Sequence, residues 1–132
     1  MAKTCLMMGA SGMAGGWIGW MTGRLSDRIE IVGLVDVNAE VLNEQGAKLG
    51  SGSDQLFTDY EAACSKVKAD FCGIATPPQF HAPQAIAAMA AGMPVICEKP
   101  IADTLAAAQA MAAKAKETGL PCAIIQNYRY AP

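Results

Sequence analysis

The stretch "TCLMMGASGMAGGWIGWM", residues 4 to 21, decides the fold. Its first part, "TCLMMG" (4 to 9), is a short apolar run that reads as a strand, and "MAGGWIGWMTGRL" (13 to 25) reads as a helix. Between them, "GASGMAG" (9 to 15) is a glycine-rich turn. A strand that turns through glycines into a helix can point backbone amides and a helix N-terminus at a pyrophosphate. The loop is not a clean G-x-G-x-x-G, since that spacing selects Gly9, Ser11 and Ala14, whereas G-x-x-G-x-x-G selects Gly9, Gly12 and Gly15. Gly15, Gly19 and Gly23 share one helical face and are expected to let the helix pack closely on a sheet. The plainer alternative is a tight turn that holds no ligand.

Outward from this unit the pattern repeats. "IEIVGLVD" (29 to 36) reads as a second strand and 39 to 49 as a helix; a weaker strand falls near "QLFTD", then a helix near 59 to 67. "DFCGIAT" (70 to 76) is a strand, "PPQFHAPQAIAAMAAG" a helix with Gly92 past its end, and "PVICE" a strand. "DTLAAAQAMAAKAKETG" is a helix closed by Gly119, and "PCAIIQNY" a last strand. Strict alternation of strand and helix implies right-handed crossovers and a parallel sheet covered on both faces, a doubly wound α/β domain.

Composition narrows the function. The 132 residues are 52% hydrophobic and 17% charged, enough apolar side chain for one cored soluble domain and against disorder. A net charge of −2 without a basic block gives no footprint for nucleic acid or an anionic membrane, and small-molecule chemistry is favoured. No run reaches the roughly 20 apolar residues of a spanning helix, and the glycine-broken start lacks the clean core of a signal peptide. The five cysteines (Cys5, Cys64, Cys72, Cys97, Cys122) are odd in number with no C-x-x-C. They read as reduced, buried thiols in a cytoplasmic chain, with no metal site expected.

Three further loops carry chemistry. Asp36, about 20 residues beyond the glycine loop, can accept both hydroxyl hydrogens of an adenosine ribose and would repel the 2′-phosphate of NADP. Val37 and Asn38 offer no cation for that phosphate, and Met13 stands where a loop arginine could have done so; NAD is therefore favoured over NADP. In "ATPPQFH" (75 to 81), Thr76 is expected to cap the following helix and Pro77 and Pro78 to stiffen the turn beside a dinucleotide. His81, the sole histidine, is a candidate cofactor contact, although a lone helical histidine is more often structural. "CEKP" (97 to 100) sets Glu98 and Lys99 at a strand's carboxyl end, projecting toward the same crevice; the bland alternative is a surface ion pair.

The glycine loop, Asp36, "ATPPQFH" and above all "CEKP" together resemble the amino-terminal half of the Gfo/Idh/MocA oxidoreductases, NAD(P)-dependent dehydrogenases of sugars, inositol and related polyols. The resemblance implies a Rossmann-type domain over residues 1–126, with 127–132 opening the junction to a second, substrate-binding domain that does not follow Pro132. It makes Lys99 the catalytic lysine near nicotinamide and substrate, and Glu98 a contact of the nicotinamide-side ribose. Gly9, Ser11, Gly12, Met13, Asp36, Val37, Thr76, Pro77, His81 and Asn127 become further cofactor-binding positions. It also implies a cis bond before Pro100, a homo-oligomer in the full-length form, and a chain that binds NAD but does not turn over alone. Ser11 departs from the family's usual second glycine. Two alternatives stay open: a dihydrodipicolinate reductase-like enzyme, which "GASGMAG" also suits, and a non-catalytic dinucleotide sensor or partner module.

Overall fold

The computed structural model describes residues 1–129. Tyr130 to Pro132, the end of the expected domain junction, lie outside the described residues. The strands are β1 (Lys3–Met8), β2 (Ile29–Val35), β3 (Leu56–Phe57), β4 (Phe71–Ile74), β5 (Val95–Cys97) and β6 (Cys122–Ile124). The helices are α1 (Met13–Thr22), α2 (Ala39–Leu49), α3 (Tyr60–Lys66), α4 (Pro78–Ala90) and α5 (Leu105–Thr118). All strands pair in parallel, in the order β3-β2-β1-β4-β5-β6. The direction of winding reverses between β1 and β4, which is where open α/β sheets form a ligand crevice.

The apolar run of β1 explains why a strand starts the fold. Side chains alternate across a strand, so a run that is apolar at every position needs cover on both faces. Cys5 and Met7 pack with Ala14, Trp17, Ile18, Met21 and Leu42, from α1 and α2. Leu6 and Met8 join the opposite core of Ala63, Ala85, Met89 and Met111, from α3, α4 and α5. All four β1 residues are 0% exposed.

Local chemistry sets most boundaries. Asn38 caps α2 by accepting from the amides of Glu40 and Val41, and Gly50 ends it at φ 67, a left-handed conformation that favours glycine. Thr104 caps α5 through the Ala107 amide, and Gly119 closes it at φ 70. Three expectations are corrected. The glycine face of α1 is not what packs on the sheet: a Cβ on Gly19 would meet nothing within 4 Å and one on Gly15 would meet Ala10 O and Gln45 of α2, because the stripe Ala14, Trp17, Ile18, Met21 has the apolar area to bury. Thr76 does not cap α4; Pro77 takes that position, and Thr76 Oγ1 donates to Gln84 Oε1 at 2.6 Å. The last strand ends at Ile124 rather than running into "NY", since the chain turns there, with Arg129 N donating to Gln126 O.

Candidate functional site

The glycine loop joins β1 to α1 at the switch point. Gly9 adopts φ +99, and a Cβ there would lie 2.9 Å from Ala14 Cβ and 3.1 Å from Ala75 O. Only glycine lets β1, α1 and the loop after β4 meet this closely. Gly12 differs: at φ +54 it precedes α1, and a Cβ on it would meet no heavy atom within 4 Å. No side chain caps α1, and no acidic residue occupies its first turn. Its N-terminal amides and positive dipole end therefore open onto free space, the arrangement that holds a phosphate.

Asp36 follows β2 directly and spans the two βα loops. Its Oδ2 accepts from Ala10 N and its Oδ1 from Asn38 N, both at 2.9 Å. Each oxygen keeps a further lone pair for a hydroxyl donor. Asp36 thus shapes the glycine loop, a role that spacing alone did not reveal.

Two hollows flank the loop. One, of about 310 Å³, brings together Ser11, Asp36, Val37, Thr76 and Pro77, all expected site residues, with Thr58, Tyr60, Phe80 and Gln84 beside them. Val37 is 83% exposed over it and Phe80 41%. The other, of about 430 Å³, is lined by Met13, Glu98, Lys99 and Asn127 together with Trp17, Trp20, Ile96 and Tyr128. Met13 belongs to this second hollow, so it does not face the Asp36 side. Gly12 separates Ser11, which lines the first, from Met13, which lines the second.

At the β5 end, Glu98 and Lys99 part ways. Glu98 lines the second hollow yet is only 8% exposed, its carboxylate held by donors of the fold. Its Oε1 accepts from Trp17 Nε1 at 3.1 Å and its Oε2 from the Lys99 backbone amide at 3.0 Å. Lys99 is exposed, and among the described residues no salt bridge joins its ammonium to Glu98. The surface ion pair is therefore not what the structure contains. The Lys99–Pro100 bond is cis, as the resemblance implies.

His81 is sealed from both hollows. It is 0% exposed, with Nδ1 2.8 Å from Pro100 O and Nε2 2.7 Å from Thr76 O. Both ring nitrogens are spent on backbone carbonyls, leaving the imidazole no polar atom for a ligand. It ties the turn after β4 to the turn after β5, neighbouring strands on the same side of the switch point.

The cysteines sit apart from this chemistry. All five are free. Burial pushes the Cys5 thiol up to about 12 and Cys97 to about 12, and Cys64 to about 11. These are inert core thiols, not nucleophiles. Among the described residues no group of three or more His, Cys, Asp or Glu is placed to hold a metal, and no helix is long and apolar enough to cross a membrane.

Comparison with known proteins agrees with this geometry. Residues 3–126 match the family model described as the Gfo/Idh/MocA oxidoreductase family, NAD-binding Rossmann fold. The chain is 40% identical over 106 residues to 4-carboxy-2-hydroxymuconate-6-semialdehyde dehydrogenase of Sphingobium sp., covering 80% of this chain and 33% of that protein. It is 38% identical over 106 residues to D-apiose dehydrogenase of Paraburkholderia graminis, covering 80% and 28% respectively. The crystal structure of the WlbA dehydrogenase from Bordetella pertussis, in complex with NADH and UDP-GlcNAcA, superposes with a TM-score of 0.89 at 28% identity, covering 99% of this chain and 39% of that one. The chain thus spans about a third of the length of these relatives. The match sets the dihydrodipicolinate reductase-like alternative aside. With a switch-point glycine loop, an acidic residue after β2 and "CEKP" after β5 all in place, this chain belongs to the Gfo/Idh/MocA family of oxidoreductases, whose NAD-binding Rossmann fold it carries.

Proposed function

We propose that this chain binds NAD across the cleft and is the dinucleotide-binding part of a dehydrogenase acting on the CH–OH group of a sugar, inositol or related polyol. The observation that carries the reading is the α1 N-terminus, uncapped, opening onto free space at Gly12, with the Asp36 carboxylate beside it. The loop amides around Gly9, Ser11 and Gly12 would hold the pyrophosphate and Asp36 the adenosine ribose, with Val37, Thr76 and Pro77 lining the adenosine side. A carboxylate at Asp36, with no cation on Val37 or Asn38, favours NAD over NADP. Met13, Glu98 and Asn127 line the nicotinamide side, and His81 positions the turns rather than touching the cofactor.

When bound, the dinucleotide supplies hydride acceptance and return. Lys99, exposed at the rim and not tied to Glu98, would orient the substrate hydroxyl and stabilise negative charge developing on its oxygen. The names of relatives support the substrate class: D-apiose dehydrogenase, inositol 2-dehydrogenase and D-glucoside 3-dehydrogenase are among them. Residues 1–126 form the dinucleotide-binding domain, and 127–132 lead toward a substrate domain. The whole protein works as a homo-oligomer. Five free cysteines favour the reducing cytoplasm. The test is NAD reduction by the whole protein against a panel of sugars, inositols and polyols. Reduction with at least one supports the proposal, and none with any member, in an NAD-binding protein, favours the sensor reading.

A further inference from the structure

We propose that Trp17 is a positioning residue for the nicotinamide end of the cleft: its indole N–H fixes the Glu98 carboxylate, and that carboxylate fixes the backbone from which Lys99 projects. The inference rests on the NAD-binding reading and adds to it a residue on α1, remote in sequence from "CEKP".

The chain of contacts is continuous. Trp17 Nε1 donates to Glu98 Oε1 at 3.1 Å, and Glu98 Oε2 accepts from Lys99 N at 3.0 Å. Trp17 and Glu98 are each only 8% exposed. A carboxylate withdrawn from water needs donors in place of the water it lost. An indole N–H donates and cannot accept, so it matches an acceptor and offers no alternative arrangement. The backbone of Glu98 is anchored independently, its amide donating to Ile74 O at 2.8 Å. The peptide is thus held by β4, the carboxylate by α1, and Lys99 leaves from a residue fixed at both.

The indole has a fitted seat. Gly73 of β4 lies beneath it, where a Cβ would stand 3.6 Å from Trp17 Cζ3. Among the described residues no salt bridge joins the Lys99 ammonium to Glu98, and Lys99 lines the same groove. A core aromatic would serve as well with a phenyl ring; only the N–H explains the bond to Glu98.

The test compares two probes on the purified chain, NADH and ADP, which keeps the adenosine and pyrophosphate but lacks both the nicotinamide and its ribose. Trp17→Phe keeps the ring and removes the N–H. The loss of a hydrogen bond to a charged group predicts NADH binding weakened about tenfold, with ADP binding changed less than about twofold. Glu98→Gln should act likewise, and the double variant should be no weaker than Glu98→Gln alone, because both act through one contact. Equal weakening of both probes overturns the inference, as does NADH binding within about twofold of the unsubstituted chain. A Trp17→Phe chain that does not fold also overturns it, since the indole N–H would then serve the fold as a whole rather than the nicotinamide end. Failure of the unsubstituted chain to bind either probe overturns the NAD reading itself, which separates the two failures.

Discussion

Gly9→Ala should unfold the switch point, and its cost can be worked from three numbers. The residue sits at φ +99, and the added Cβ would lie 2.9 Å from Ala14 Cβ and 3.1 Å from Ala75 O. Neither neighbour is the free end of a flexible side chain: Ala14 is 0% exposed on α1, and Ala75 O is backbone. Relief therefore requires moving α1 against the turn after β4. Backbone strain of this kind costs about 1–3 kcal/mol, and overpacking a tight core about 1–3 kcal/mol. Against a total of about 5–15 kcal/mol for a domain, this is a large share. It lowers the melting temperature by about 10 °C or more. Thermal melts followed by circular dichroism read it directly. Gly12→Ala is the internal control, since its Cβ meets nothing within 4 Å. Its cost is confined to the backbone, about 1–3 kcal/mol at φ 54, ψ −124, while NADH binding should fall because the methyl would enter the space proposed for phosphate. A Gly9→Ala chain melting within about 2 °C of the unsubstituted one, or Gly12→Ala melting lower than Gly9→Ala, refutes this reasoning.

Other substitutions follow from the site. Asp36→Ala releases both Ala10 N and Asn38 N, so NADH binding should weaken and the preference over NADPH narrow; titration with both cofactors checks it, and an unchanged ratio contradicts it. Lys99→Ala in the whole enzyme should cut turnover by about a hundredfold or more, while stability moves by at most about 1 kcal/mol. Lys99→Arg should not restore turnover, because the broader guanidinium does not fill the same compact site; steady-state kinetics of both variants decides. For Cys5, burial raises the folded thiol to about 12. Its stabilising effect is complete below the unfolded value of about 8.5 and is lost as pH climbs from there toward 12. Urea melts across alkaline pH should show a shallower decline for Cys5→Ala, and an equally steep decline would contradict the assignment.

Much of the architecture was legible because strands and helices alternate with clear punctuation. The apolar run of β1 required cover on both faces, and Gly50, Gly92 and Gly119, all at positive φ, mark ends that glycine alone fits well. The cleft was legible too, since the turns after β1, β2, β4 and β5 meet at one sheet edge. Side-chain partners were not. Trp17 lies at helical spacing with Ala14, Ile18 and Met21 and reads as core, so its N–H toward a residue 81 positions away leaves no local trace. Thr76 looked like a cap, but Pro77 takes the cap position and the hydroxyl reaches Gln84 instead. His81 was a cofactor-contact candidate through the resemblance, while as a lone helical histidine it read as more often structural; two carbonyls brought together by tertiary packing hold it. Periodicity reports which face is buried; it does not report what a buried polar atom meets.

The central claim is that the cleft flanked by Gly12 and Asp36 takes NAD. Titration of the purified chain with NADH and NADPH in parallel, followed by nicotinamide fluorescence, tests it most directly. The account predicts saturable NADH binding, with NADPH weaker because the Asp36 carboxylate repels the 2′-phosphate. Absence of NADH binding, or NADPH binding as tightly as NADH, would contradict it.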